Sequence, residues 1–381
     1  MKRALLLFFA VICCQITYGQ DKAPLDKEKL LEYYQTQKYT DAALYLQSVF
    51  AEDTQDEKEI AQLAYANMMA GKLPEAEKNY LKLLEKQPQS LPVLFSLANI
   101  NLRKGQDEKA KNYYMDILKI DSTNFTVYKQ LASLSKGEMN VAKVDYLEKA
   151  NAINPTDADV VFDLCEIYFK MNFFDKASNI LEPALSTDST NLQLLKMKMP
   201  ISMAKKKYDE SIQTGLKLLS YGDSSTFILN NLGKSYFFIL DYKNALKSFL
   251  AIENKSMDSE ALYYSIGLSY RGLKDYKNAI PYFEKAIQEG ISTKIASYYG
   301  LLGDSYENVN KNTEANTSYK KGLQFENNGS LLYNIALVYE TKLNDKKSAI
   351  DYYEQYLKTI NEKEQPKLIG FIKNKIAELK R

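Results

Sequence analysis

The sequence predicts an all-α solenoid built from stacked antiparallel helix pairs, and three observations carry that prediction. A motif of about 34 residues returns roughly ten times between Leu25 and Asn361. One small residue marks the copies: Ala42, Ala76, Ala110, Ala177, Ala245, Ala279, Ala315 and Ala349, with Lys143 and Ser211 filling the two remaining places. Each copy also divides into two amphipathic halves. In the copy from Glu260 to Glu289, Leu262, Tyr263, Ile266, Gly267 and Tyr270 follow the spacing of one helix face. Leu273-Lys274-Asp275 interrupts it, and Tyr276, Ala279, Ile280, Phe283, Ala286 and Ile287 resume it. Two helices joined by a short turn form a hairpin. A fixed period of this length means that hairpins stack on one another instead of closing into a globule.

Taken in order, the chain opens with a segment that reads as a secretory signal. Lys2 and Arg3 are a basic start, Ala4 to Ile12 a short apolar run, and Thr17-Tyr18-Gly19 a small-residue cleavage site before Gln20. We therefore expect a leader at 1–19, a repeat array at 20–361 and a last helix at 362–381. The expected location is exported, periplasmic or associated with the outer membrane. Acylation of Cys13 or Cys14 is the rival reading, but Ile12 and Cys13 stand where a lipoprotein signal wants a small residue. No later segment approaches the apolar length of a membrane span.

The hairpins need close approach at their crossings. Gly233, Gly267 and Gly303 lie at that point of the first helix, where other copies have Ala64, Ala98, Ala132 and Ala336. Tyr270 and Phe283 are expected to fill the space between. The first copy has Lys29 at an apolar position, and the fourth is one residue short near Gly137. The sixth departs most, with Met199 at the small position, Ser211 for alanine, Gly215 for a bulky aromatic, and Pro200 inside its first helix. A bend near 192–224 is expected from that kink; a divergent repeat that packs normally is the alternative. Pro366 starts a helix whose Leu368, Ile369, Ile372, Ile376 and Leu379 form one apolar stripe, suited to capping an exposed last repeat.

These residues, with Leu or Tyr, then Leu-Gly or Leu-Ala, then Tyr, then Ala, an aromatic and Ala, resemble the tetratricopeptide repeat. Pro88 and Pro155 fall where that family often ends its second helix. The resemblance covers about residues 25–361 and implies a right-handed superhelical solenoid. It also implies a concave groove lined by the first helix of each repeat. Carried over copy by copy, the groove candidates are Tyr65, Phe95, Asn99, Lys129, Phe162, Glu166, Phe169, Asn230, Lys234, Phe237, Tyr264 and Arg271. Met68, Leu102, Ser133, Lys196, Met203, Leu268, Asp304 and Glu307 share that face. The lysine and asparagine set with which some relatives grip a chaperone's C-terminal carboxylate is not restored here, because Phe95 stands where lysine is needed.

Composition narrows the chemistry. The chain has 50 Lys and Arg against 48 Asp and Glu, so no basic excess exists to neutralise a phosphate backbone, and nucleic acid is disfavoured as a partner. It has no histidine, which removes the commonest general base and the commonest zinc ligand. No phosphate loop or paired cysteines occur, so neither a cofactor nor a metal is expected. Asp163 and Glu166 share a helix face but read as groove-lining polar residues. Asn308, Asn310 and Asn312 lack the acids of a calcium loop and read as a turn. Cys165 reads as a small buried hydrophobe.

The expectation is a non-enzymatic scaffold that binds a protein or peptide segment. Two rivals remain. One is a structural subunit of an envelope or outer-membrane assembly, with self-association. The other is a glycan- or cell-wall-binding protein, since 30 tyrosines could stack on sugars.

Overall fold

The computed structural model describes residues 24–137, 140–253, 259–290, 293–361 and 365–381. The expected leader, with Cys13 and Cys14, lies outside them. The described residues contain 21 helices and no strand, in two compact units that meet in sequence at Asn154 and Pro155.

The first unit holds four hairpins: α1 Lys27–Gln35 with α2 Tyr39–Val49, α3 Glu57–Met69 with α4 Leu73–Lys86, α5 Leu91–Arg103 with α6 Asp107–Ile120, and α7 Phe125–Leu134 with α8 Val141–Ile153. The second unit holds six. These are α9 Ala158–Lys170 with α10 Phe174–Thr187, α11 Leu192–Ala204 with α12 Tyr208–Ser220, and α13 Thr226–Phe238 with α14 Tyr242–Glu253. They continue with α15 Glu260–Gly272 and α16 Tyr276–Glu289, α17 Ile295–Asn308 and α18 Asn312–Leu323, and α19 Gly329–Thr341 and α20 Lys346–Leu357. A single helix, α21 Pro366–Leu379, follows. Within each unit the two helices of a hairpin pack on each other, and the second packs on the first helix of the next hairpin. The periodic reading therefore describes the fold, which is an all-α solenoid of helix pairs.

Local chemistry sets where the helices begin. Asp26, Asp56, Asn124, Asp157 and Asn191 each stand just before a first helix and accept hydrogen bonds from its free N–H groups. The turn inside each hairpin uses a different device. In all ten, one residue takes positive φ: Gln37, Gly71, Gly105, Gly137, Asn172, Lys206, Leu240, Lys274, Asn310 and Asn344. In eight of them the next N–H donates to a carbonyl five residues back, as Lys72 does to Asn67 at 2.9 Å and Asp275 to Tyr270 at 2.9 Å. This left-handed stop closes the last open turn of the first helix. Only three copies use glycine for it, so the sequence shows the break at Leu273-Lys274-Asp275 without showing its geometry.

In repeats seven, eight and nine, the small residue of the first helix faces an aromatic of the second. A Cβ added to Gly233 would lie 2.5 Å from the Phe249 ring, one on Gly267 2.8 Å from Phe283, and one on Gly303 2.5 Å from Tyr319. The glycines are thus sockets for rings that are almost wholly buried. Repeat six inverts the arrangement. Met199 occupies the socket position, and its Cε would lie 2.7 Å from a Cβ on Gly215, the residue that replaces the ring. Volume is exchanged between the two helices and not lost. Ser211 is likewise accommodated, accepting from the Ser235 hydroxyl at 3.0 Å. Despite Pro200, α11 is one continuous helix, and Lys198 on it pairs with Glu182 of α10 and Glu210 of α12.

Several tyrosines put the hydroxyl at the ring edge to use. Tyr282 donates to Glu253 at 2.9 Å and Tyr306 to Glu284 at 2.6 Å. Tyr353 donates to Glu340, which also accepts from Lys375 of α21. Ring burial is thereby joined to a charge-assisted hydrogen bond. On α21, Ile369, Ile372 and Ile376 are buried, and the helix packs on α20.

Two outcomes test this account. Gly233→Ala should lower stability by about 1–3 kcal/mol through overpacking against Phe249, and Phe249→Leu on that background should recover part of the loss in urea denaturation. Leu240 holds φ +64 while 67% exposed. Leu240→Gly should therefore raise stability by about 1 kcal/mol, the cost of a left-handed L-residue, seen as a higher urea midpoint.

Candidate functional site

The candidate residues lie on the first helices, and the two units carry separate sets. In the first unit, Tyr65 on α3 is 42% exposed and meets Tyr34 edge-on with ring centroids 5.7 Å apart. Phe95 on α5 is half-buried and packs edge-on against Tyr114 of α6 at 6.3 Å. Asn99, one turn on, is exposed. Lys129 on α7 holds its ammonium over the Phe125 ring at 5.9 Å.

In the second unit, α9 contributes Phe162, Glu166 and Phe169. Phe162 is half-buried, and Phe169 tilts against Phe174 at 5.5 Å. Glu166 pairs with Lys170 one turn along the same helix at 3.0 Å, which makes it a solvated surface pair. On α13, Asn230 is half-buried and Lys234 exposed; neither hydrogen-bonds or ion-pairs with any described residue. Phe237 is held against the core around Phe249 and edge-on to Tyr242 at 5.3 Å. On α15, Tyr264 stacks obliquely on Tyr298 at 4.7 Å, and burial raises its hydroxyl pKa. Arg271 gives its Nε–H to Asp304 of α17 at 2.7 Å.

The structure thus sorts the candidates into two kinds. Phe95, Phe237 and Tyr264 are wedges between helices that show one edge outward, a role that their spacing on the first helix could not distinguish from full exposure. Asn99, Asn230 and Lys234 are polar groups open to a ligand. Between two of the helices that carry the second-unit set lies α11, which touches both α9 and α13.

Lys196, on the same face of α11, is committed elsewhere. It pairs with Asp223, which also accepts from the Ser225 N–H at 3.0 Å and lies in the connection to α13. Those bonds, with Lys196 first, hold the Asp223 carboxyl down at about 2 from an ordinary 3.8. A depressed carboxylate stabilises the fold above its unfolded value and loses that contribution as pH falls through its folded value. This pair is a clamp between repeats six and seven that sequence spacing did not suggest.

Cys165 occupies the socket position of α9, fully buried, and donates its thiol hydrogen to the Ala177 carbonyl at 3.3 Å. Burial pushes the thiol up to about 12, so it packs and does not react. Asn310 is the left-handed residue of the turn between α17 and α18. No helix among the described residues is long and apolar enough to cross a membrane.

Two family models match the helix-pair repeats. A family model described as tetratricopeptide repeat matches residues 136–198, and a second of the same description matches 91–124, 261–289 and 329–362. The three short matches bracket α5–α6, α15–α16 and α19–α20. No curated protein sequence matches the chain. Among solved structures, a tetratricopeptide repeat protein from Parabacteroides merdae is 19% identical with TM-score 0.40, over 66% of this chain and 99% of that one. The structure of Naa15/Naa10 bound to HypK-THB gives 14% and 0.45, over 87% of this chain and 57% of the matched chain. YrrB, described as a tetratricopeptide repeat protein with an unusual peptide-binding site, gives 18% and 0.35, over 56% and 92%.

Two measurements follow. Phe237→Ala should cost about 1–3 kcal/mol as a partly buried ring is lost, whereas Phe162→Ala should leave the melting temperature near wild type. In an NMR titration, the Asp223 carboxyl should remain ionised until pH approaches about 2, and Lys196→Met should return it toward the ordinary carboxylate range.

Proposed function

The chain is a tetratricopeptide-repeat protein, and on that basis we propose that it is a non-enzymatic scaffold holding an extended segment of a partner protein along the first helices of the Pro155–Arg381 unit. One observation carries the reading: Asn230 and Lys234 stand open, without a partner among the described residues, beside the outward edge of Phe237. An extended chain offers carbonyls and side chains that need such donors and acceptors, and ring edges supply contact area at little entropic cost. Phe162, Phe169 and Tyr264 extend the same pattern on α9 and α15.

The absence of histidine from the sequence argues for contact over catalysis. The basic, apolar and small-residue order of residues 1–19 supports a role outside the cytoplasm, in a periplasm or at an outer membrane.

The test is crosslinking in cells from a photoreactive residue at Asn230, with Leu216 on α12 as the control because it is 48% exposed on a second helix. One dominant adduct from position 230 and none from 216 supports a scaffold. Equal capture from both, or crosslinks between copies of the chain, would replace it with a structural subunit.

A further inference from the structure

The side chains that the groove leaves unexplained gather at the turns inside the hairpins. In a stack of antiparallel hairpins these turns all lie along one edge of the unit. On repeats five, seven and eight that edge carries exposed apolar residues, while repeat six turns through Lys205-Lys206-Lys207. Phe173 is 47% exposed, Phe238 56%, Ile239 40%, Leu240 67% and Leu273 44%. They belong to one surface. The turn of repeat five borders a shallow hollow of about 490 Å³ that also takes in Ala204 and Lys205 at the end of α11. Tyr208 of repeat six stacks on Phe238 of repeat seven at 5.0 Å. Tyr242 of repeat seven lies under Gly272 of repeat eight, where an added Cβ would come within 2.6 Å of its ring. Beyond repeat eight the edge changes character: Asn310 and Asn344 take the left-handed place, with Val309 and Leu343 half-buried.

Leu240 is the informative residue. Its backbone is left-handed, a conformation that leucine adopts at a cost and that glycine or asparagine supplies in six of the ten copies. The side chain, 67% exposed, recovers little of that cost by burial. A strained, exposed leucine kept at a tip points to something it touches outside the chain.

Charge shows what that is. Lys206, Lys243, Lys274 and Lys277 stand at the same level, exposed and without ion pairs to described residues. The nearby carboxylates are fewer than the lysines, and all but Asp209 are held within the chain. Asp175 pairs with Lys205 at 2.8 Å, while Asp241 and Asp275 accept from the N–H groups of Asn244 and Asn278. The edge is therefore a row of protruding apolar tips ringed by free ammonium groups. That combination suits an anionic bilayer, where the tips enter the acyl boundary while the lysines reach headgroup phosphates.

We propose that the turn edge of repeats five to eight docks on the surface of an anionic lipid bilayer, inserting Phe238, Ile239, Leu240 and Leu273 and engaging phosphate through Lys206, Lys243 and Lys274. This rests on different residues from the groove and stands or falls separately from it.

The test is co-sedimentation of the full chain with vesicles of phosphatidylcholine alone or with phosphatidylglycerol at about a third of the lipid. The comparison is among wild type, Phe238→Gln/Leu240→Asn and Lys206→Glu/Lys274→Glu. Any contribution from apolar residues 4–12 is common to all three and cancels. Asparagine suits the left-handed position, so the first variant keeps its fold, as its melting curve will show. We expect wild type to prefer the anionic vesicles and each variant to bind them at least about tenfold more weakly, with added salt weakening wild type most. Variants that partition like wild type would overturn the proposal. So would a loss of self-association in light scattering for Phe238→Gln/Leu240→Asn without a change in vesicle binding, which would assign the edge to a second copy of the chain.

Discussion

The structure depends on one contact repeated along the chain: an aromatic of the second helix seated where the first helix has almost no side chain. Gly233 with Phe249, Gly267 with Phe283 and Gly303 with Tyr319 are its tightest forms. Close packing leaves no slack at such a crossing, so a change on either side must be matched on the other. Repeat six demonstrates the rule by inversion, with Met199 projecting toward Gly215. Each hairpin then presents two apolar flanks that it cannot bury alone, and stacking follows from that deficit. Local stops make the stacking regular, because Asx and Ser residues start the first helices and a left-handed residue ends them.

Buried tyrosines add direction to this packing. A phenylalanine in the same place would fill the volume but leave its edge neutral. Tyr282, Tyr306 and Tyr353 place hydroxyls on Glu253, Glu284 and Glu340, carboxylates of neighbouring helices, and Lys375 brings α21 onto the last of these. Burial and the adjacent carboxylates raise all three phenol pKa values, in the case of Tyr306 to about 12. They therefore remain donors across the physiological range, and the tie between repeats does not titrate away. Clamps such as Lys196 with Asp223 work in the same sense at the solvent boundary, where they set register more than they add stability.

Function on such a scaffold comes from what the packing leaves over. On the first helices of the second unit, rings that serve as wedges still show an edge, and Asn230 and Lys234 remain open. At the turns, residues that the helices no longer need for their own packing are free to vary, and on repeats five to eight they are apolar and cationic. A hairpin array thus offers surfaces with separate constraints: the helix face is tied to the core through its aromatics, whereas the turn edge is tied through backbone conformation and a few contacts between adjacent turns.

Much of this was legible without coordinates, for a physical reason. Helical periodicity and a strict repeat length are local and translational properties, so the hairpins, the sockets at Gly233, Gly267 and Gly303, and the apolar stripe on α21 could be read from spacing. Cys165 as a packing residue followed from its place in the register. The left-handed stops escaped notice because most copies use Asn, Lys, Gln or Leu, whose identity does not announce positive φ. Whether Phe237 and Tyr264 would be exposed or wedged was also undecided, since a residue beside the socket faces both a neighbouring helix and the solvent. Only the tertiary structure could apportion those faces. The same holds for Met199 with Gly215 and for Phe238 with Tyr208: each is a contact between residues distant along the chain, decided by how helices settle against one another and not by any pattern within one of them.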